Sequence, residues 1–215
     1  MSLTLIGLSH HTAPLPVREQ FAAEVQAGRH TVDRVRSAMG VQEAVMLSTC
    51  NRTELYVVTA RELEQSALLE MLPQPPGIDA GELPTFTYVR HEDAVAEHLF
   101  RVVSSLDSML LGEPQIQGQV RSAYESALKL QREHRVVGPI LSRLFESALG
   151  VGGRVRAETR LSEGAASIPS AAVDLARKIF GPLRDRETIK LGDVAITARR
   201  ASGHTRGSTT WVKLL

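Results

Sequence analysis

The chain has 215 residues, 43% hydrophobic and 23% charged, enough for one large domain or two small ones around a core of ordinary size. Its longest apolar runs, such as Ala44 to Leu47 and Val136 to Ile140, are too short to span a bilayer, and no basic and apolar leader opens it. The net charge is +1, but residues 151–215 carry +6 against −5 for residues 1–150, so the C-terminal third offers either a phosphate-contacting surface or an ordinary solvated one.

Leu3 to Leu8 is apolar almost throughout and reads as a central strand. A helix is expected from about Pro16 to Met39, with Phe21, Val25, Val32, Val35 and Met39 sharing much of one face and Gly40 at its end. Gln42 to Leu47 and Glu54 to Thr59 read as two strands joined by the polar segment Ser48 to Thr53. Arg61 to Met71 reads as helix, and a Pro- and Gly-rich loop from Pro73 to Pro84 leads to a short strand around Phe86 to Val89. The order β-α-β-β-α-β is the split pattern of ferredoxin-like domains.

After His91 the pattern becomes helical. Glu92 to Ser104, Ile116 to Glu133 and Val136 to Thr159 each repeat every 3.6 residues, and Ser170 to Ile179 begins another helix stopped by Gly181 and Pro182. The expected fold class is therefore α+β: a ferredoxin-like part over about residues 1–90, then a helical part over about 91–160. From Glu187 the pattern decays, and Ala198 to Thr210 is nearly free of large apolar residues, which predicts no packed element there.

The single cysteine cannot form an internal disulfide and suits a reducing, cytoplasmic compartment. Cys50 falls where the chain turns between two predicted strands, among Thr49, Asn51 and Arg52. A guanidinium nearby favours the thiolate, the form that attacks carbonyls. Local composition leaves three readings open: a presented nucleophile, a buried structural thiol, or a capped turn built on Asn51.

The run Leu47-Ser48-Thr49-Cys50-Asn51-Arg52-Thr53-Glu54-Leu55-Tyr56 is similar to the signature around the nucleophile of glutamyl-tRNA reductases. Gly7-Leu8-Ser9-His10-His11-Thr12-Ala13-Pro14 with Arg18-Glu19 resembles the family's opening motif. The segments His98 to Val102, Ser104 to Ser108, Leu111 to Val120 and Arg154 to Thr159 follow in the family's order. The resemblance covers roughly residues 3–185.

It implies a reductase of tetrapyrrole and haem biosynthesis that converts glutamyl-tRNA to glutamate-1-semialdehyde through a cysteine thioester. Cys50 is then the acyl acceptor and His98 a proton-transfer group. Arg52 is the partner of the substrate γ-carboxylate, against the simpler reading of an ion pair with Glu54. Thr49, Asn51, Ser108, Glu113, Pro114, Gln115 and Gln119 line the glutamate pocket, with Glu113 suited to the α-ammonium and the two glutamines sharing a helix face. His10 and His11 are read as structural residues. Ser105 stands where the family usually has glycine.

The same resemblance implies glutamyl-tRNA as partner, a homodimer in the complete enzyme, an aminomutase that accepts the aldehyde, and NADPH as hydride donor. No Gly-x-Gly-x-x-Gly loop follows a strand, however, and Gly150-Val151-Gly152-Gly153 lies in a helical pattern. Residues 161–186 are accordingly expected to be a linker and the first helix of a missing NADPH-binding domain, and 187–215 an aberrant or disordered tail. This predicts a form limited to the acyl-transfer half. The alternatives are a non-catalytic fragment that binds glutamyl-tRNA or a reductase partner, and an inert relic.

Overall fold

The computed structural model describes residues 1–28, 35, 40–130, 136–162, 178, 179, 181, 188–191, 194–200 and 209–214. Internal contacts divide the chain into two units, Met1–Ser167 and Ile168–Leu215.

The first unit is built on a four-stranded antiparallel sheet. Its strands are β1 (Ser2–Ser9), β2 (Val41–Ser48), β3 (Arg52–Thr59) and β4 (Tyr88–His91), in the order β2-β3-β1-β4. Alternation along the strands sends side chains to two cores. Leu5, Val45, Leu47, Tyr56 and Val58 meet three helices, α4 (Asp93–Val103), α5 (Gln115–Leu130) and α6 (Pro139–Glu158), through Val95, Leu99, Val120, Phe145 and Ala148. Ile6, Leu8, Ala44, Met46, Leu55 and Val57 pack on the other face against α1 (Leu15–Gln26) and α2 (Gln65–Glu70), through Phe21 and Leu68. Burial on both faces is why these strands read as continuous apolar runs.

The edge strand β2 is tied to α6 by one acidic residue. Glu43 is buried, and its carboxylate accepts the amides of Ile140 (3.2 Å) and Leu141 (2.7 Å) in the first turn of α6. Those amides have no partner within the helix, so a strand carboxylate satisfies them and meets the positive end of the helix dipole. Gly138, at the N-cap, leaves the room Glu43 needs, because a β-carbon there would overlap Glu43 Oε1.

Several boundaries differ from those expected. The first helix ends at Gln26 rather than Met39: Gly28 takes φ +67° and its amide bonds back to Val25 O, a glycine stop. Val35 is again helical, while 29–34 and 36–39 lie outside the described residues. The next helix begins at Gln65, not Arg61, and Leu83–Phe86 is a short helix (α3) that delays β4 to Tyr88. Proline at the start of α6 and Gly138 before it shift that helix start from Val136 to Pro139. Val136 instead accepts the amide of Ala44 across the sheet edge.

Most of the helix expected over Ser170 to Ile179 lies outside the described residues; Lys178 and Ile179 are helical. In the second unit, β5 (Thr188–Leu191), β6 (Val194–Arg200) and β7 (Thr209–Leu214) pair antiparallel in that order. The stretch expected to carry no packed element, Ala198 to Thr210, is therefore strand at both ends. β-Branched residues such as Val194, Ile196, Thr197, Thr209, Thr210 and Val212 favour extended backbone without supplying a long apolar signal.

Candidate active site around Cys50

The turn between β2 and β3 is closed by its own residues and then clamped from outside. Thr49 donates its amide to Arg52 O (2.8 Å), while its buried hydroxyl accepts the amides of Asn51 (3.1 Å) and Arg52 (3.2 Å). Cys50 is exposed at the apex. From α1, Arg18 reaches under the turn: Nη1 donates to Cys50 O (3.1 Å) and to Asn51 Oδ1 (3.0 Å), and Nε donates to Ala13 O (3.2 Å). His10 extends the β1–β3 ladder by donating its amide to Asn51 O (2.9 Å). Of the readings left open by composition, a buried structural thiol is excluded, and the turn is at once capped and presenting.

Beneath the turn lies an ionic network. Arg52, Glu54 and Tyr56 alternate along β3 and so point to one face, toward α4. Glu54 Oε1 accepts Arg52 Nη1 (2.8 Å) and Tyr88 OH (2.5 Å) and meets His98 Nε2 at 2.8 Å, while Oε2 accepts Tyr56 OH (2.7 Å). Because a carboxylate cannot donate, His98 must carry its proton on Nε2 in this contact. Arg52 Nη2 donates to both the carbonyl oxygen and Oδ1 of Asp107, the latter at 2.9 Å.

Arg52 and Glu54 are both essentially without solvent exposure. Burial alone would raise the Glu54 pKa, but the Arg52 charge and the hydrogen bonds from His98 and Tyr88 outweigh it and hold the carboxyl well below the usual range. Burial also acts on Asp107 in the raising direction, and the hydrogen bond and charge of Arg52 override it. Tyr56 and Tyr88 are pushed up, first by burial and then by the Glu54 carboxylate.

Gly7 makes the arrangement compatible with β1. It pairs with Glu54, and a β-carbon there would lie 2.7 Å from Thr53 O and 2.8 Å from Glu54 Cγ. The segment that carries Asp107 is fixed by Ser105, which adopts φ +58° and donates its hydroxyl to Glu113 O (2.6 Å). Ser105 thus occupies a left-handed position, where glycine would be unstrained.

The expected site residues fall into groups. Cys50, Thr49, Asn51, Arg52 and His98 are brought together around the turn and its network. Ser108 is half-buried, Glu113 is buried and followed by exposed Pro114, and Gln115 and Gln119 open α5, exposed and half-buried respectively. Arg52 has two of its three nitrogens engaged by Glu54 and Asp107, and its buried Nε has no hydrogen-bond partner among the described residues. The ion pair with Glu54 is real, though deeply buried rather than superficial.

Sequence reasoning gave no role to Arg18, Asp107, Tyr56 or Tyr88. The spacing Arg52-x-Glu54-x-Tyr56 was the available signal, since three polar side chains on one face of a central strand need mutual partners.

His10, His11 and Asp107 bring ligand-type atoms within 4.8 Å of one another, with His11 Nε2 3.4 Å from Asp107 Oδ1. That oxygen is already bonded to Arg52, whose charge opposes a second cation, so the trio reads as a histidine pair on a shared carboxylate. Burial, then His11 and Arg52, keep His10 low in pKa. The Gly150–Gly153 stretch does not fit a nucleotide: Gly150, Gly152 and Gly153 lie inside α6, where their amides serve the helix and cannot cradle a pyrophosphate.

Fold and site together define an α+β domain that presents one exposed thiol on a hydrogen-bonded turn above a buried carboxylate–guanidinium network. The family model for the glutamyl-tRNA(Glu) reductase N-terminal domain matches residues 6–159. A glutamyl-tRNA reductase of Rubrobacter xylanophilus is 46% identical over 192 residues, covering 89% of this chain and 44% of the relative. One of Syntrophus aciditrophicus is 43% identical over 195 residues, covering 89% and 45%. The solved glutamyl-tRNA reductase of Methanopyrus kandleri superposes with a TM-score of 0.61 at 34% identity, over 86% of this chain and 41% of that one. The chain belongs to the glutamyl-tRNA reductase family, through its N-terminal domain. It spans less than half the length of these relatives. Among the described residues, no helix is long and apolar enough to cross a membrane.

Proposed function

We propose that this chain carries the acyl-transfer half of glutamyl-tRNA reduction. The observation that carries the reading is Cys50, exposed at the apex of a turn whose backbone is fixed by Thr49 and Arg18. In the proposed step the Cys50 sulfur attacks the ester carbonyl of glutamyl-tRNA. A C–S bond forms, the C–O bond to the terminal ribose breaks, and the thiol proton ends on the released ribose hydroxyl. A thioester replaces an ester and is the better electrophile for a later hydride.

The charges nearby suit a glutamyl group. Arg52 is the proposed partner of the γ-carboxylate, which would take over contacts now made by Asp107. Glu113 is proposed for the α-ammonium, with Thr49, Asn51, Ser108, Pro114, Gln115 and Gln119 as the pocket wall. His98 is the proposed proton-handling residue, and its 2.8 Å contact with Glu54 supports an additional part in holding Glu54 and, through it, Arg52.

NADPH would supply the hydride in a complete enzyme, and no residue described here is assigned to it. Homodimerisation, transfer of the aldehyde to an aminomutase and a cytoplasmic setting belong to the same reading. The antiparallel order β2-β3-β1-β4 supports taking residues 2–91 as ferredoxin-like. We further propose that 187–215 is an aberrant stretch, such as a frameshifted reading; resequencing the gene tests this, and an intact reading frame would refute it.

Incubation with glutamyl-tRNA, acid quenching and peptide mass analysis test the main claim. A glutamyl adduct on the Cys50 peptide is expected, and an unmodified cysteine under conditions where charged tRNA is intact would refute it.

A further inference from the structure

We infer that Arg18 is a positioning residue for the thiol: the α1 guanidinium holds the Cys50 carbonyl and the Asn51 side chain so that the apex of the turn has one conformation. The inference rests on the acyl-transfer reading above and adds to it a residue outside the substrate pocket. Arg18 is 7% exposed although it sits in a helix whose neighbours Val17 and Glu19 are more open, so its head group is spent inside the protein.

Its donors reach two stretches of chain at once. Nε takes Ala13 O in the loop after β1, and Nη1 takes Cys50 O and Asn51 Oδ1 in the turn after β2. A planar guanidinium offers its donors in fixed directions, so satisfying these acceptors fixes one end of the turn relative to α1. Thr49 and His10 hold the flanks, but Cys50 O itself has no other hydrogen-bond partner among the described residues. Lysine keeps the charge at this place without the fork. Attack on an ester needs sulfur at a set distance and angle, and a displacement of about 1 Å can cost as much as ~100-fold in rate.

The test combines amide hydrogen exchange with single-turnover acylation by glutamyl-tRNA, on wild type, Arg18→Met and Arg18→Lys. Arg18→Met keeps the apolar stem and removes every donor. Exchange at the amides of Thr49, Asn51, Arg52 and His10 is expected to rise about tenfold or more, with Leu5 and Val57 in the sheet centre unchanged. Acylation at saturating tRNA should fall about tenfold or more while the half-saturating concentration moves less than about twofold. Arg18→Lys should recover only part of the rate.

Unchanged exchange in the turn would overturn the inference, and so would a loosened turn that acylates at the wild-type rate. Full recovery by Arg18→Lys with the turn still loose would also overturn it, because charge alone would then suffice. If Arg18→Met does not fold, Asn51→Ala removes one acceptor of the same guanidinium and must loosen the Cys50 end of the turn. A wild type that is never acylated refutes the acyl-transfer reading, and the exchange data still decide whether Arg18 holds the turn.

Discussion

Arg52 and Glu54 sit two residues apart on β3, point to the same face, and meet at 2.8 Å with almost no solvent on either side chain. The pair is completed rather than isolated: Asp107 takes the second arginine nitrogen, and His98, Tyr56 and Tyr88 complete the carboxylate. Removing the Glu54 charge leaves the buried Arg52 with Asp107 as its remaining counter-charge and its Nη1 contact weakened. Glu54→Gln should therefore destabilise the domain by about 3–5 kcal/mol. Urea unfolding measures it, and a loss below about 1 kcal/mol would contradict the description.

Acid should attack the same network. The Glu54 carboxyl is held below its usual value in the folded state, against an ordinary value of 4.5 when unfolded, and Asp107 is likewise lowered from 3.8. A lowered folded pKa contributes stability that is fully present above the unfolded value and is lost as pH falls below it. Stability should thus be flat near neutrality and decline from about pH 4.5 downward. Glu54→Gln should remove much of that slope, read from unfolding midpoints between about pH 3 and 7.

All three tyrosines of the chain, Tyr56, Tyr88 and Tyr124, have raised phenol pKa values, in each case first from burial, with Glu54 or Glu146 adding to it. Native protein should show clearly less phenolate absorbance at pH 10 than the unfolded chain, which is about half ionised there. Half-ionisation of native protein at pH 10 would mean that the phenols are open to solvent.

Ser105 allows a comparison of strain with hydrogen bonding. Its left-handed backbone costs about 1–2 kcal/mol and its bond to Glu113 O returns about 1 kcal/mol. Ser105→Gly relieves one and loses the other, so its stability should stay within about 1 kcal/mol of wild type. Ser105→Ala keeps the strain and loses the bond, and should be destabilised by about 1 kcal/mol. Equal stability of the alanine variant would show that the hydroxyl contributes nothing.

Much of this was legible in the sequence, and the misses have physical causes. Strands β1 to β3 declared themselves as largely apolar runs, and the three later helices through 3.6-residue spacing. Gly28 was visible but was read through, because flanking apolar spacing suggested one longer helix. The cysteine turn was legible as a polar break between two strands. Its clamp was not: Arg18 acts across more than thirty residues, and nothing local to a helical arginine says which carbonyl it will reach. Asp107 belongs to the same class, since its partner Arg52 lies fifty-five residues away. Composition hid the strands of 188–214, where β-branched residues stand without an apolar run.

The central claim, that Cys50 is an acyl acceptor, is tested most directly by single-turnover release of tRNA from glutamyl-tRNA without NADPH, comparing wild type with Cys50→Ala. Faster release by wild type, with Cys50→Ala at the spontaneous hydrolysis rate, is the predicted result. Release at the spontaneous rate by both proteins would contradict it.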